Sequence, residues 1–240
     1  MALKTHGITS ATPQNLMFSA GAYYKNLKYG QHYEIVASGT EGAKEVVASD
    51  ASGEKVLLTD VTPTCPDAKV GDFVKQETTG FYGVPLGATS GGGKLTIEPE
   101  YLDAEIDGAT VLVKGCKNKV GETGSMEINF TEVREGVFID ALHLVKDTSK
   151  TYDGYTAYKT KAQIDDDDYL ENIAFVGLLN DGRNVIVIME NALCTSAFEL
   201  EPKNKEQAVY AATFTCHADL KQDDLMHVPV TVLFPTAPTV

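Results

Sequence analysis

The chain has 240 residues, with 34 acidic and 20 basic side chains and a formal net charge of −14. At 43% hydrophobic and 22% charged it reads as a globular chain and not a disordered one, and at this length roughly 70–75% of the unfolded surface can be buried. No apolar run reaches the ~20 residues of a membrane helix, and residues 1–20 lack the charged-then-apolar layout of a signal peptide, so the expectation is a soluble protein made in a cytoplasm.

In chain order, residues 1–13 form a polar arm ending at Pro13. Residues 40–80 are rich in Gly, Asp and Pro, with two short strand candidates at Lys55 to Val61 and Asp72 to Thr78, and read as an inserted hairpin. Gly91-Gly92-Gly93-Lys94 leads into a strand carrying Leu95 and Ile97. Asp107-Gly108 marks a turn between strands near Tyr101 to Ile106 and Thr110 to Gly115. Met126, Ile128 and Phe130 alternate with polar residues as a half-buried strand does.

One segment reads as a helix. Phe138, Ala141, Leu142 and Val145 fall at i, i+3, i+4 and i+7, which predicts about four turns from Thr131 to Asp147. Glu132 and Glu135 near its start and Lys146 near its end follow the sense of the helix dipole. A long polar loop, 147–168, follows, with Tyr152, Tyr155, Tyr158 and the run Asp165 to Asp168. Loops of that length without structure of their own usually have a task.

Ile173 to Leu179 and Val185 to Met189 flank Asn180-Asp181-Gly182-Arg183, a strong hairpin signal because both central positions of a type I′ turn need positive φ. Both strands are apolar on both faces, which places that hairpin deep in the core. A strand from Ala208 to Ala218 and an alternation Val228, Val230, Val232, Phe234 complete the pattern. One helix and many strands predict a mainly β chain: a two-sheet β-sandwich or barrel flanked by one α-helix, in a single domain over 1–240.

The chemistry is sparse. The glycine run fails as a phosphate loop, since Ala88 and Leu95 stand where Gly and Ser or Thr are required and a strand follows. The aspartate run lacks the alternating spacing and closing Glu of a calcium loop. The histidines His6, His32, His143, His217 and His227 form no metal motif, and Cys216 and His217 point to opposite faces of a strand. Cys65, Cys116, Cys194 and Cys216 lie 51, 78 and 22 residues apart, which suits buried free thiols better than a zinc or redox motif. The expectation is no catalytic residue, no cofactor and no metal. An unrecognised hydrolase using two hidden carboxylates ranks last, because the chain has no Trp to offer a sugar platform.

Charge is uneven: residues 1–40 carry +2, whereas residues 161–224 hold 13 acids against 5 bases. That balance opposes nucleic-acid binding by phosphate neutralisation.

The run Leu86-Gly87-Ala88-Thr89-Ser90-Gly91-Gly92, then Glu105-Ile106-Asp107-Gly108-Ala109 and Val113-Lys114-Gly115, resembles the major tail protein (tail tube protein) of long non-contractile-tailed bacteriophages. So do Val120-Gly121-Glu122 opening the strand to Phe130-Thr131-Glu132, and Asn172 to Gly177 with Asp181-Gly182. The close, Ala211 to Ala218, Val228-Pro229-Val230 and Phe234-Pro235, fits as well; the resemblance is weak over 14–40 and fair over 83–236, while 40–80 departs from it. What it implies is a structural, non-enzymatic virion protein whose copies form hexameric rings stacked into a tail tube. DNA would pass through the lumen without specific binding, no membrane would be involved, and tape measure, tail terminator and tail tip proteins would be the partners. The location implied is the virion tail, after synthesis in the bacterial host cytoplasm. Acids within 161–224 would then face the bore, and arms 1–13, 40–80 and 147–168 would supply contacts between rings. A non-catalytic binding or decoration module of a virion, or a tube subunit of a bacterial secretion apparatus, are the readings beside it.

Overall fold

The structure is a computed structural model that describes residues 12–17, 21–49, 53–62, 64–108, 110–200, 204–205, 207–220 and 225–236. Its elements run β1 (Ala22–Gly30), β2 (Tyr33–Val36), β3 (Lys44–Val47), β4 (Lys55–Leu57), α1 (Leu58–Val61), β5 (Phe73–Gln76), β6 (Gly80–Pro85), β7 (Thr89–Asp103) and β8 (Lys117–Phe130). They continue α2 (Glu135–Leu142), β9 (Leu144–Lys146), β10 (Tyr158–Thr160), a 3-10 turn (Asp166–Asp168), β11 (Leu170–Leu178), β12 (Asn184–Cys194), β13 (Glu199–Leu200), β14 (Tyr210–Cys216) and β15 (Val230–Leu233). The chain is mainly β, as its alternating apolar pattern predicts. It divides into two compact units, Tyr24–Pro85 and the remainder.

In the larger unit an open antiparallel sheet runs β11-β12-β14-β8-β7, with β15 added to β12 and β13 to β14. The alternation read from the sequence assigns its faces. Met126, Ile128, Phe130, Tyr210, Ala212, Phe214 and Cys216 are all buried on one side, whereas Ser125, Glu127, Asn129, Thr213 and Thr215 occupy the other and are half-buried. A turn does join β11 and β12 here, but it is not the predicted type I′: only Gly182 takes positive φ, at 85°, and its N–H donates to the Leu179 carbonyl at 3.0 Å, which centres the turn on Asn180-Asp181. Those two strands contribute the buried Ile173, Ala174, Val187 and Met189.

The core is closed by α2, through Val137 and Ala141, and by an aromatic group: Phe138 lies 4.8 Å from Phe198 and 5.3 Å from Tyr210, centroid to centroid. The Tyr210 hydroxyl donates to the Glu132 carbonyl at 2.7 Å, satisfying the one polar atom this ring brings inside. The helix is shorter than its apolar spacing predicts. Thr131 is still sheet-like, donating its N–H to the Ala88 carbonyl at 3.0 Å, and His143 takes a left-handed conformation that ends the last turn. Val145, fourth in the predicted stripe, instead sits in β9 opposite Lys159 of β10. A β-branched residue at i+7 satisfies either period, and the ribbon partner decides.

The smaller unit holds the ribbon β1–β6 and a four-stranded sheet ordered β2-β5-β3-β4, around the buried Val46, Val61, Cys65, Ala68 and Val74. The expected hairpin at 40–80 is instead this sheet, with β3 and β4 parallel. The predicted strand Lys55 to Val61 breaks after Leu57 into the single turn α1, which carries Val61 into that core at 0% exposure.

Candidate assembly surface

Among the described residues the strand β7 lies at the edge of the larger sheet, paired only to β8. Its entry is built from the glycine run. Gly91 and Gly92 adopt φ 74° and 73°, and the β7–β8 register shifts between Thr89 and Gly93, a bulge that an L side chain would resist. Gly93 has a different need: a Cβ there would collide with the Tyr23 hydroxyl and the Glu127 carbonyl. The predicted turn into a strand is thus a bulge inside one.

Beyond it, Leu95 faces Met126 and Ile97 faces Gly124 across the ladder. Met126 is 1% exposed, yet Leu95 and Ile97 are each 40% exposed, so the apolar face of the sheet outruns the core that covers it. A second irregularity at Glu100/Tyr101 precedes Tyr101 and Leu102, 53% and 60% exposed, and the Lys117 ammonium sits over the Tyr101 ring and 3.2 Å from Asp103.

The predicted strand Thr110 to Gly115 is not formed. β7 instead runs to Asp103, and residues 104–116 make a loop closed at its base by Ala104 N–H donating to the Cys116 carbonyl at 2.8 Å. This loop holds up Val111 and Leu112, 76% and 80% exposed, beside Ile106 and Val113. The loop encloses a concavity of about 650 Å³, into which Cys116 is only half-buried.

Elsewhere the predicted site features resolve into structural roles. Cys65, Cys194 and Cys216 are buried free thiols, each pushed up by burial. The aspartate run caps itself: Asp165 N–H donates to Asp168 Oδ2 at 2.8 Å, and Lys161 Nζ lies 2.9 Å from Asp168 and 3.4 Å from Asp165. Burial opposes ionisation of Asp168, but that N–H and the Lys161 ammonium outweigh it and hold the carboxyl below its usual range. Asp165, Asp166 and Asp167 stay exposed.

In the 147–168 loop, Tyr158 donates to Glu135 Oε1 at 2.6 Å and is held protonated by that carboxylate, while Tyr152 and Tyr155 are 57% and 82% exposed. The loop also has structure: β10 lies within it and pairs back to β9, which precedes it. Cys216 faces the core and His217 the opposite side, edge-on to Tyr169 at 5.2 Å. His217, Tyr169, Asn191 and Asp219 line an open concavity of about 510 Å³.

Among the described residues no group of three or more His, Cys, Asp or Glu is placed to hold a metal, and no helix is long and apolar enough to cross a membrane. The predicted arm 1–13 lies outside the described residues except for its last two. No family model and no curated protein matches the chain.

Proposed function

We propose that this chain is a structural subunit of a phage tail tube, a two-sheet β-sandwich flanked by α2 that joins with copies of itself into hexameric rings and stacks them. The observation that carries this reading is the β7–β8 hairpin. An edge strand from Thr89 to Asp103 with open backbone groups, bordered by exposed Leu95, Ile97, Tyr101 and Leu102 and ending in Val111 and Leu112, is a surface that a free monomer leaves wet at a cost. Covering it with neighbouring copies removes both the open edge and the apolar area, and an interface that closes gives a ring.

The acidity supports the same role. A conduit for DNA needs a wall that repels phosphate weakly, and Asp165, Asp166, Asp167 and Glu171 stand exposed on the larger unit. In this reading DNA passes without specific binding. Tape measure, tail terminator and tail tip proteins are the virion partners, and no catalytic step is assigned. The separate core of Tyr24–Pro85 favours one other reading, a virion binding or decoration module, because a small self-cored unit is what recognition elsewhere uses.

Negative-stain electron microscopy across a concentration series, paired with light scattering, tests the proposal. Rings or hollow tubes of uniform diameter are expected, and the double variant Val111→Asp/Leu112→Asp is expected to stay monomeric at the same concentrations. A 25.8 kDa species at every concentration, with wild type and double variant indistinguishable, would sink it.

A further inference from the structure

The last strand, β15, and the segment that leads into it are fastened to the larger sheet in an unusual way. Among the described residues β15 pairs only with β12, Val230 to Leu233 against Met189 to Ile186, and its other edge is open. Upstream, Val228, Pro229 and Val230 form a tight three-residue turn, the Val230 N–H donating to the Val228 carbonyl at 2.7 Å. Proline presets the backbone for that turn.

The turn drives Val228 and Val230 onto one spot of β8, Gly124. A Cβ built there would meet the Cys216 sulfur at 2.7 Å and the two valine methyls at 3.1 and 3.2 Å, so the glycine is a socket for these side chains. Polar contacts reinforce the seat, and Met226 and His227 are held by interactions of their own. Val228 N–H donates to Glu122 Oε2 at 3.4 Å, a carboxylate also held by Lys119 at 2.7 Å, and Glu190 N–H donates to the Pro229 carbonyl at 3.0 Å. Under this cover the Cys216 thiol is 7% exposed and donates to the Gly124 carbonyl at 3.4 Å.

The cover is thin on its outer side. Leu225 and Met226 before the turn are 54% and 81% exposed, and Val232 and Phe234 are 43% and 76% exposed. A four-residue edge strand with one strand partner, whose segment half-buries Val228, Val230 and Leu233 and leaves Leu225, Met226 and Val232 exposed, belongs to the low-stability end of a fold, able to open while the rest stays folded.

We propose that residues 225–233 form a releasable strap: closed, it pairs the β12 edge from Ile186 to Met189 and seals the Cys216 thiol; open, it bares both while the remainder of the core stays intact. An unpaired strand edge accepts another strand, so the strap governs whether β12 can receive one. This inference stands apart from the assembly reading.

Cys216 reports on the strap, and Cys194, equally buried at 7% exposure in the same sheet, is the internal control. The full chain is exposed to iodoacetamide under native conditions and modification is followed at each cysteine by peptide mass spectrometry. Cys216 is expected to react at least 10-fold faster than Cys194, with a much shallower dependence on added urea, since strap release exposes little surface. Glu122→Gln and Gly124→Ala are each expected to speed Cys216 several-fold and leave Cys194 unchanged. Equal rates at the two thiols with the same steep urea dependence would mean that only global unfolding exposes Cys216, and would overturn the proposal without bearing on tube formation. The wild-type urea comparison decides the matter even if a variant fails to fold.

Discussion

The hairpins β11–β12 and β7–β8 belong to one sheet and are both long and rich in apolar residues, yet they spend those residues differently. β12 has sheet partners beyond its own hairpin, β14 and β15, and the two strands bury Ile173, Ala174, Val187 and Met189, with the turn at Asp181-Gly182 between them. β7 closes the sheet on one side only, leaves Leu95 and Ile97 at 40% exposure, and reaches β8 through the 104–116 loop. The lesson is that apolar alternation specifies a face but not what covers it. Position in the strand order decides that, and in the proposed assembly the apolar face left bare at the β7 edge is where a neighbouring copy docks.

Substitutions can break this contrast. Ile173→Ala, at 0% exposure in β11, should cost about 2–5 kcal/mol through lost burial and the cavity left behind. Urea denaturation would show it, and an unchanged midpoint would mean β11 is not core. Gly93→Val at the β7 bulge should cost about 1–3 kcal/mol, because the new side chain must displace the Tyr23 hydroxyl. A full-stability Gly93→Val protein would show that β7 can shift and that its register is soft.

The double variant Val111→Asp/Leu112→Asp should move monomer stability by no more than about 0.5 kcal/mol, both residues being exposed, while abolishing association. A large loss of stability instead would place the loop in the monomer's own core. The smallest effect concerns the β11–β12 turn. Asp181 accepts from the Arg183 backbone N–H at 3.1 Å and from its guanidinium, and these hold its carboxyl below the usual range despite some desolvation. A folded-state pKa below the unfolded value of about 4 gives stability that is present above that pH and lost as pH falls through the folded value. The pH dependence of the denaturation midpoint between pH 5 and 2 should therefore be shallower in Asp181→Asn than in wild type.

Much of this was readable one residue at a time. Met126, Ile128 and Phe130 alternate because one face of β8 is buried, and the alternation names that face without any structure. Gly182 supplies the positive φ that the β11–β12 turn needs, so that turn is local. The misreadings share a cause. Val145 satisfied a helical spacing but found a strand partner in Lys159, and Lys55 to Val61 satisfied a strand pattern but turned to bury Val61. In both, local preference was close to even and a distant contact settled it. Residues 110–115 erred in the opposite direction: three apolar neighbours looked like a strand because burial was assumed, whereas Val111 and Leu112 stand in solvent.

By itself the sequence determined the β-rich class, the faces of the central strands, the turn at Asp181-Gly182 and the acidic excess, since each follows from side-chain period, backbone φ or charge within a few residues. Only the tertiary structure decided that β7 is an edge, that Tyr24–Pro85 gathers its own core, that α2 stops at His143, and that Gly124 is a socket for Val228 and Val230. Those depend on which distant segments meet, and the free energy that selects one meeting over another comes from burial summed across the chain, not from any short stretch of it.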